Sequence, residues 1–145
     1  LAEEIQGLRK LYEGATPRQR LRVALDRINN PTADPNQLVT KVSAIEAYAR
    51  SLIANHNTSS KAEVLANHRQ HSKYEARALV NKFTKLKLKN PKKYFGEELW
   101  ELFRLAVSAR NLLVHECTYL DPQKFLPLAH ACDEVLSGLN RLSKT

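Results

Sequence analysis

The sequence predicts an all-α fold: an antiparallel bundle of about four core helices with a short helical hairpin at its N-terminal end. Three observations carry this. Apolar residues recur three and four positions apart along most of the chain, which is the period of one helix face. Runs that alternate apolar with polar residues, the mark of a half-buried strand, are almost absent. Glycine is sparse, at four in 145 residues, so the turns that join closely spaced strands have little to be built from. With 43% hydrophobic residues the chain has enough apolar surface for one ordered core. We read 1–145 as a single domain, with 1–30 as an N-terminal helical extension and 35–145 as the bundle.

Each element follows from local chemistry. Residues 1–13 form an amphipathic helix with Leu1, Ile5, Leu8, Leu11 and Tyr12 on one side, and Gly14 ends it. Thr16-Pro17 is an N-cap followed by proline at the first helical position, where a missing N–H costs nothing. The helix it opens carries Leu21, Val23, Leu25 and Ile28 among Arg18, Arg20, Arg22 and Arg27. Residues 29–34, with Pro31, form a loop, and Asp34-Pro35 starts the next helix by the same cap logic. Its stripe is Leu38, Val42, Ile45, Ala49, Leu52 and Ile53, with Glu46 on the border. After a polar break at 55–60, the chain reads as helical from Lys61 to about Leu88, with a kink near His71-Ser72. Val64, Leu65, Leu79, Val80, Phe83 and Leu86 face its core side. Asn90-Pro91 breaks the chain before a long helix from Glu97 to about Glu116. Leu120-Asp121-Pro122 starts the last helix, in which Pro127 marks either a kink or the true first turn. Phe125, Leu128, Ala131, Cys132, Val135, Leu136 and Leu139 form its inner stripe.

The charge balance points toward polyanions: the formal net charge is +8 and the pI near 9.7. Residues 82–93 hold six lysines and no acid. Lys85, Lys87, Lys89, Lys92 and Lys93 are the candidate RNA-binding residues, since such a run can track a phosphate backbone. The same run reads equally as a solvated helix end, favourable with its own dipole. Cys117 and Cys132 are too few for a disulfide framework, so a reducing, cytoplasmic setting is expected. No apolar run has membrane-spanning length and the N-terminus lacks a signal-peptide core, so no membrane partner is expected. His68 and His71 have a spacing two metal ligands could use. No further ligand is near enough in sequence, so both are expected to be solvated, with no metal and no cofactor. The absence of a glycine-rich phosphate loop removes a nucleoside-triphosphatase reading.

The departure from plain pattern is Arg110-Asn111-Leu112-Leu113-Val114-His115 in the penultimate helix. The stripe Leu99, Leu102, Phe103, Ala106 runs through position 110 to Leu113 and Val114, so Arg110 falls where a core residue belongs. A charge is costly to bury alone, so Arg110 is either paired or lining a cleft. Glu46, a carboxylate beside another inner stripe, is the candidate partner. Asn111 and His115 share a face, whereas Arg110 and His115 lie about 140° apart round the axis. Histidine can move a proton near neutral pH, and arginine stays charged and matches phosphate with a planar fork. Taken without context, the residues also describe a helix end with one buried ion pair and one solvated histidine. A second pair of similar spacing, Arg50 and His56, ends a helix beside a polar loop.

Context separates the two pairs. Arg110-Asn-Leu-Leu-Val-His115, with a polar residue after the arginine and an aliphatic gap, resembles the Arg-polar-x(3–5)-His motif of HEPN-superfamily ribonucleases. Ser43-Ala-Ile-Glu46-Ala-Tyr48 is similar to the segment that supplies an acidic residue beside that motif, and the stretch from about Pro35 to Leu142 fits the family's helix order. Residues 1–30 lie outside the resemblance. Many toxin-type members carry an aromatic residue two positions after the histidine; here that position is Cys117, and the nearest tyrosine is Tyr119. The resemblance implies a metal-independent endoribonuclease, of toxin or defence type, acting as a homodimer with a composite site. In it the substrate's 2′-hydroxyl attacks the adjacent phosphate and leaves a 2′,3′-cyclic phosphate. His115 would move the proton, Arg110 hold the phosphate charge, Asn111 orient nearby groups and Glu46 position Arg110 or His115. RNA is then the substrate, and a cognate inhibitor protein is a further partner the resemblance allows. Two rivals remain open: a non-catalytic bundle of the same type that binds RNA or an acidic partner protein, and a plain helical interaction protein.

Overall fold

A computed structural model describes residues 1–13, 16, 17, 19, 21, 36–58, 60–117 and 122–145. Its elements are α1 (Ala2–Glu13), α2 (Asn36–Asn55), α3 (Lys61–Gln70), α4 (Ala76–Leu86), α5 (Pro91–Phe95), α6 (Glu97–His115) and α7 (Pro122–Ser143). Among the described residues there is no strand, and the fold is the all-α bundle the periodicity predicts. Among the described residues no helix is long and apolar enough to cross a membrane. Of the expected helix opened by Thr16-Pro17 only residues 17, 19 and 21 are described, all helical and with Leu21 exposed. Its other residues, the loop 29–34 and the Asp34-Pro35 cap fall outside the described residues, as do 118–121 with Tyr119 and the side chains of Tyr12 and Phe125. At the edge of that region Thr16 and Gln19 form a reciprocal capping box. The Thr16 N–H donates to Gln19 Oε1 at 2.8 Å, and the Gln19 N–H donates to Thr16 Oγ1 at 3.2 Å.

Helix α2 is the hub, packing against α3, α4, α6 and α7. Its buried residues Leu38, Val42, Ile45, Ala49 and Ile53 recur at the predicted spacing. They join Leu79, Val80 and Phe83 of α4, Phe103, Ala106 and Leu113 of α6, and Leu128, Cys132, Val135 and Leu139 of α7 in one core. Each large side chain so buried contributes about 1.5–3 kcal/mol. Cys132 sits in that core, where burial pushes its thiol up to about 12.

Cross-links between side chains give the helix directions. Lys41 Nζ donates to Asp133 Oδ2 at 2.8 Å, and Tyr48 Oη donates to Asn140 Oδ1 at 3.2 Å. Both pairs advance together, so α2 and α7 run parallel. Arg50 reaches the carbonyls of His71 and Tyr74 just before α4, and His56 meets the Phe83 ring further along it, so α4 also runs with α2. The intervening α3 is the return: Asn67 Nδ2 donates to the Ala54 carbonyl at 3.2 Å. Helix α6 runs against α7, since Tyr94, just before α6, donates to the Gly138 carbonyl near the end of α7 at 2.8 Å.

The expected kink at His71-Ser72 is instead a full break between two helices. Here Arg50 Nε donates to the His71 carbonyl at 3.0 Å and Arg50 Nη2 to the Tyr74 carbonyl at 3.2 Å. The His71 carbonyl also accepts from the Tyr74 N–H at 3.3 Å, so Arg50 reinforces that turn and ties it to α2. The expectation that His71 is solvated fails as well, for it is 4% exposed. Its Nδ1 lies 2.7 Å from the Asn67 carbonyl, which can only accept, so Nδ1 carries the proton. Nε2 is left to accept from Lys82 Nζ. Five residues expected on apolar helix faces are exposed: Leu11, Leu65, Leu86, Val114 and Leu136. Val64 is only half-buried, and α3 buries no residue at all.

Helix α4 ends in a Schellman motif. The Lys89 N–H donates to the Thr84 carbonyl and the Leu88 N–H to the Lys85 carbonyl, both at 2.9 Å. The motif places Leu88 at φ +60°, a conformation glycine favours, with 92% of its surface exposed. Asn90 then caps α5, its Oδ1 accepting from the N–H groups of Lys92 and Lys93, with Pro91 in the first turn. Gly96, at φ +90°, turns the chain into α6. Pro127 lies inside α7, whose first residue is Pro122, so the proline does not mark the start of that helix.

Candidate functional site

Of the residues the sequence singles out, Glu46, Arg110 and Asn111 meet. Arg110 Nη2 donates to Glu46 Oε2 at 3.2 Å, and Arg110 Nε donates to Asn111 Oδ1 at 3.0 Å. The Arg110 side chain is 14% exposed and that of Glu46 23%. The charge on the apolar stripe is therefore paired, across α6 to α2. It sits at the rim of the core, where Ala109, Leu112 and Leu113 close the helix face beside it.

Glu46 holds a second arginine. Arg50 Nη2 lies 3.5 Å from Glu46 Oε1, one turn along α2, and its side chain is as enclosed as that of Arg110. Sequence spacing sets Arg50 with His56 as a competing pair at a solvated helix end. The structure separates them. Arg50 turns to Glu46 and to the α3–α4 break, while His56 is half-buried with its ring edge-on to Phe83, centroids 6.4 Å apart. The cluster thus carries two guanidinium groups on one carboxylate, a net positive site. The Arg50 role could be read only from the i, i+4 spacing of Glu46 and Arg50, a pattern common on solvated helix faces.

His115 ends α6 and is exposed. It lies about 7.5 Å along the axis beyond Arg110, from the 1.5 Å rise per residue. Asn111 is the link between them: it shares a face with His115 and accepts from Arg110. Val114 and Leu126, 50% and 53% exposed, lie at the same end of the α6–α7 pair as His115. Cys117 follows at φ +50°, exposed and unpaired with Cys132.

The five candidate lysines gather around the end of α4 and α5. Lys85, Lys89, Lys92 and Lys93 are exposed and Lys87 is half-buried. They stand near the start of α6, whereas His115 is at its end. From Trp100 to His115 the helix rises about 22 Å. Within one chain the lysine group and the Arg110–His115 segment are therefore separate regions. Among the described residues no group of three or more His, Cys, Asp or Glu side chains could hold a metal ion.

What the fold and cluster define is an all-α bundle with a net positive, half-enclosed arginine–carboxylate site. Comparison of the chain with family models, with curated proteins and with solved structures finds no match.

Proposed function

We propose that this protein is a metal-independent endoribonuclease of HEPN type, cutting RNA by attack of the 2′-hydroxyl on the adjacent phosphate. The observation that carries the reading is the Glu46–Arg110–Asn111 contact beside an exposed His115. Glu46 and Asn111 fix the Arg110 guanidinium without neutralising the cluster, because Arg50 supplies a second positive charge to the same carboxylate. A preorganised positive charge stabilises the phosphorane oxygens as charge develops there. His115, exposed at the end of α6, takes the 2′-hydroxyl proton or returns one to the 5′-oxygen leaving group. No metal is needed, since the nucleophile and phosphate belong to one substrate and the chain only aligns and stabilises them.

The working form is a homodimer with the two segments facing each other. Arg110 and His115 point about 140° apart on one helix. A two-fold axis brings the His115 of one copy toward the Arg110 of the other. The exposed Val114 and Leu126 flank His115 and offer apolar surface for that contact. Setting, as a toxin or defence effector in the cytoplasm with a cognate inhibitor, belongs to the same proposal.

The test is cleavage of a labelled RNA in excess EDTA, with the product ends analysed. We expect 2′,3′-cyclic phosphate and 5′-hydroxyl ends from the native protein. His115→Ala should abolish cutting with an unchanged melting temperature, because an exposed side chain costs little to remove, within about 0.5 kcal/mol. His56→Ala should still cut. Mixing Arg110→Ala with His115→Ala should restore part of the activity. A strict need for added Mg²⁺, or full activity in His115→Ala, defeats the proposal. One observation favours a second reading: Arg110 donates from Nε and Nη2 to Asn111 and Glu46 within the fold, as a purely structural arginine would. A folded, RNA-binding protein that never cuts under any of these conditions would establish that non-catalytic module instead.

A further inference from the structure

A second region of the surface has the build of a ligand site. Between α4, α5 and the first turns of α6 lies a cleft of about 590 Å³. Its cationic walls are Arg77, Lys85 and Lys92, and its floor is Trp100, a residue only 5% exposed. Asn81, Asn90 and Glu75 complete the polar lining. Three cations against one carboxylate leave the cleft positive. The neighbouring Glu101 carboxyl is held below its ordinary range, chiefly by hydrogen bonds from Arg104, with the fields of Arg77 and Lys92 adding to them.

The aromatic floor is rigid. Trp100 stacks on Phe95, with ring centroids 5.9 Å apart and planes 8° from parallel, and meets Phe103 at 5.8 Å. The Arg77 guanidinium carbon sits 5.5 Å from the centre of the Trp100 ring. A planar cation supported by an indole is a platform on which a nucleobase can stack. The residues Ala78, Asn81 and Lys85 recur along one face of α4, and from Glu75 to Lys85 the helix rises about 15 Å, room for a base, a sugar and a phosphate. Charge sets the direction. Glu75 repels phosphate and accepts from an exocyclic amino group, while Lys85 and Lys92 attract phosphate.

We propose that this cleft binds one nucleotide unit of single-stranded RNA, its base over Arg77 at the Glu75 end and its phosphate between Lys85 and Lys92. It is a subsite distinct from the Glu46–Arg110 cluster, and it rests on the RNA-binding half of the proposed function but not on the cleavage chemistry. In a cutting enzyme it would grip the strand away from the scissile bond and set which length of RNA reaches His115.

The experiment exploits the single tryptophan of the chain, which is the floor of the cleft. The full chain is titrated with a short 2′-O-methyl oligonucleotide, which binds like RNA but offers no 2′-hydroxyl to attack, while Trp100 emission and oligonucleotide anisotropy are followed together. The expected result is a change in Trp100 emission that saturates with the anisotropy. Arg77→Ala should weaken binding about 5- to 150-fold, the loss of one stacked base. Arg77→Lys should recover the salt dependence but not the affinity, because lysine keeps the charge and loses the plane. Lys85→Ala with Lys92→Ala should lower the slope of log affinity against log salt by about 0.7 for each phosphate that is no longer neutralised. His115→Ala should bind as tightly as the native chain. If adenosine monophosphate produces the same emission change at equal affinity, the cleft takes a free nucleotide and the strand assignment is overturned. An oligonucleotide that saturates the anisotropy without moving Trp100 emission overturns the site itself. The two readings fail separately: a chain that never cuts RNA but shows the Trp100 response loses only the catalytic proposal, and one that cuts RNA with a silent Trp100 loses only this one.

Discussion

The Glu46 cluster and the basic cleft near Trp100 both hold arginine, yet they treat it in opposite ways. In the cluster two guanidinium groups converge on one carboxylate, and Arg110 also donates to an amide, each arginine side chain 14% exposed. In the cleft Arg77 is exposed and leans on an aromatic ring. An arginine tied to a carboxylate has its geometry fixed before any ligand arrives and its charge partly compensated. One supported by a ring keeps its charge for a ligand and adds a surface for stacking. The difference teaches which kind of phosphate contact each region suits: a fixed positive point that strengthens as charge develops, against a tolerant grip on a strand.

The largest effect expected on this comparison comes from Glu46→Gln. The substitution leaves two arginines facing a neutral amide, so both lose their counter-charge at once. We expect a loss of about 2–3 kcal/mol, below the figure for a fully buried pair because the cluster is partly open. Urea or thermal unfolding measures it, and Trp100 emission in the folded state should stay unchanged. Arg110→Ala should cost less, since Glu46 keeps Arg50 as a partner. Equal losses for the two variants would mean that the carboxylate is not shared.

Gly138→Ala is the next largest and acts on the other region. A Cβ there would lie 2.6 Å from Phe95 Cε1 and 3.2 Å from its Cδ1. Phe95 must shift, and it is stacked on Trp100. Overpacking of this kind costs about 1–3 kcal/mol. Alongside the lowered stability, the native-state emission of Trp100 should change, while any RNA cleavage at the distant cluster persists. Unaltered emission would show that the aromatic stack gives way elsewhere.

The smallest effect has the opposite sign. Leu88 occupies the glycine position of the Schellman motif at φ +60° and buries almost nothing. Leu88→Gly removes the strain and should stabilise the protein by about 0.5 kcal/mol, read as a higher urea midpoint at constant slope. A destabilised variant would show that the leucine side chain packs in a way that outweighs its backbone strain.

The sequence made the bundle and half of the cluster legible for a physical reason. Val42, Ile45 and Ala49 repeat at the helical period because α2 is enclosed by four other helices. Against so regular a stripe, Arg110 and Glu46 stand out as charges in apolar company. Periodicity also misplaces Leu65 and Leu86, since it says which residues share a face and not whether another helix covers it. Helix α3 packs on α2 and has no buried residue, so its apolar positions stay half open. The sequence marks the place at His71-Ser72 but reads it as a kink, because Arg50, which ties the break to α2, lies 21 and 24 residues away from the carbonyls it reaches. The cleft is half visible. Lys85 and Lys92 lie in the lysine run, and Arg77 and the N-cap Glu75 belong to α4 with Lys85, but Trp100 joins them only through the turns on either side of α5.

The parallel pairing of α2 with α7 bears on how the chain reaches this state. Asp133 and Asn140 meet Lys41 and Tyr48 across 92 positions of sequence. By contrast, Ala54 meets Asn67 across 13 and Arg50 meets His71 across 21. Pairings of short separation cost less chain entropy to close. The α2–α3–α4 region therefore gathers early, with one side of α2 still exposed to water. Helices α6 and α7 cover the remainder, so during synthesis α2 keeps an open side until both have left the ribosome and docked.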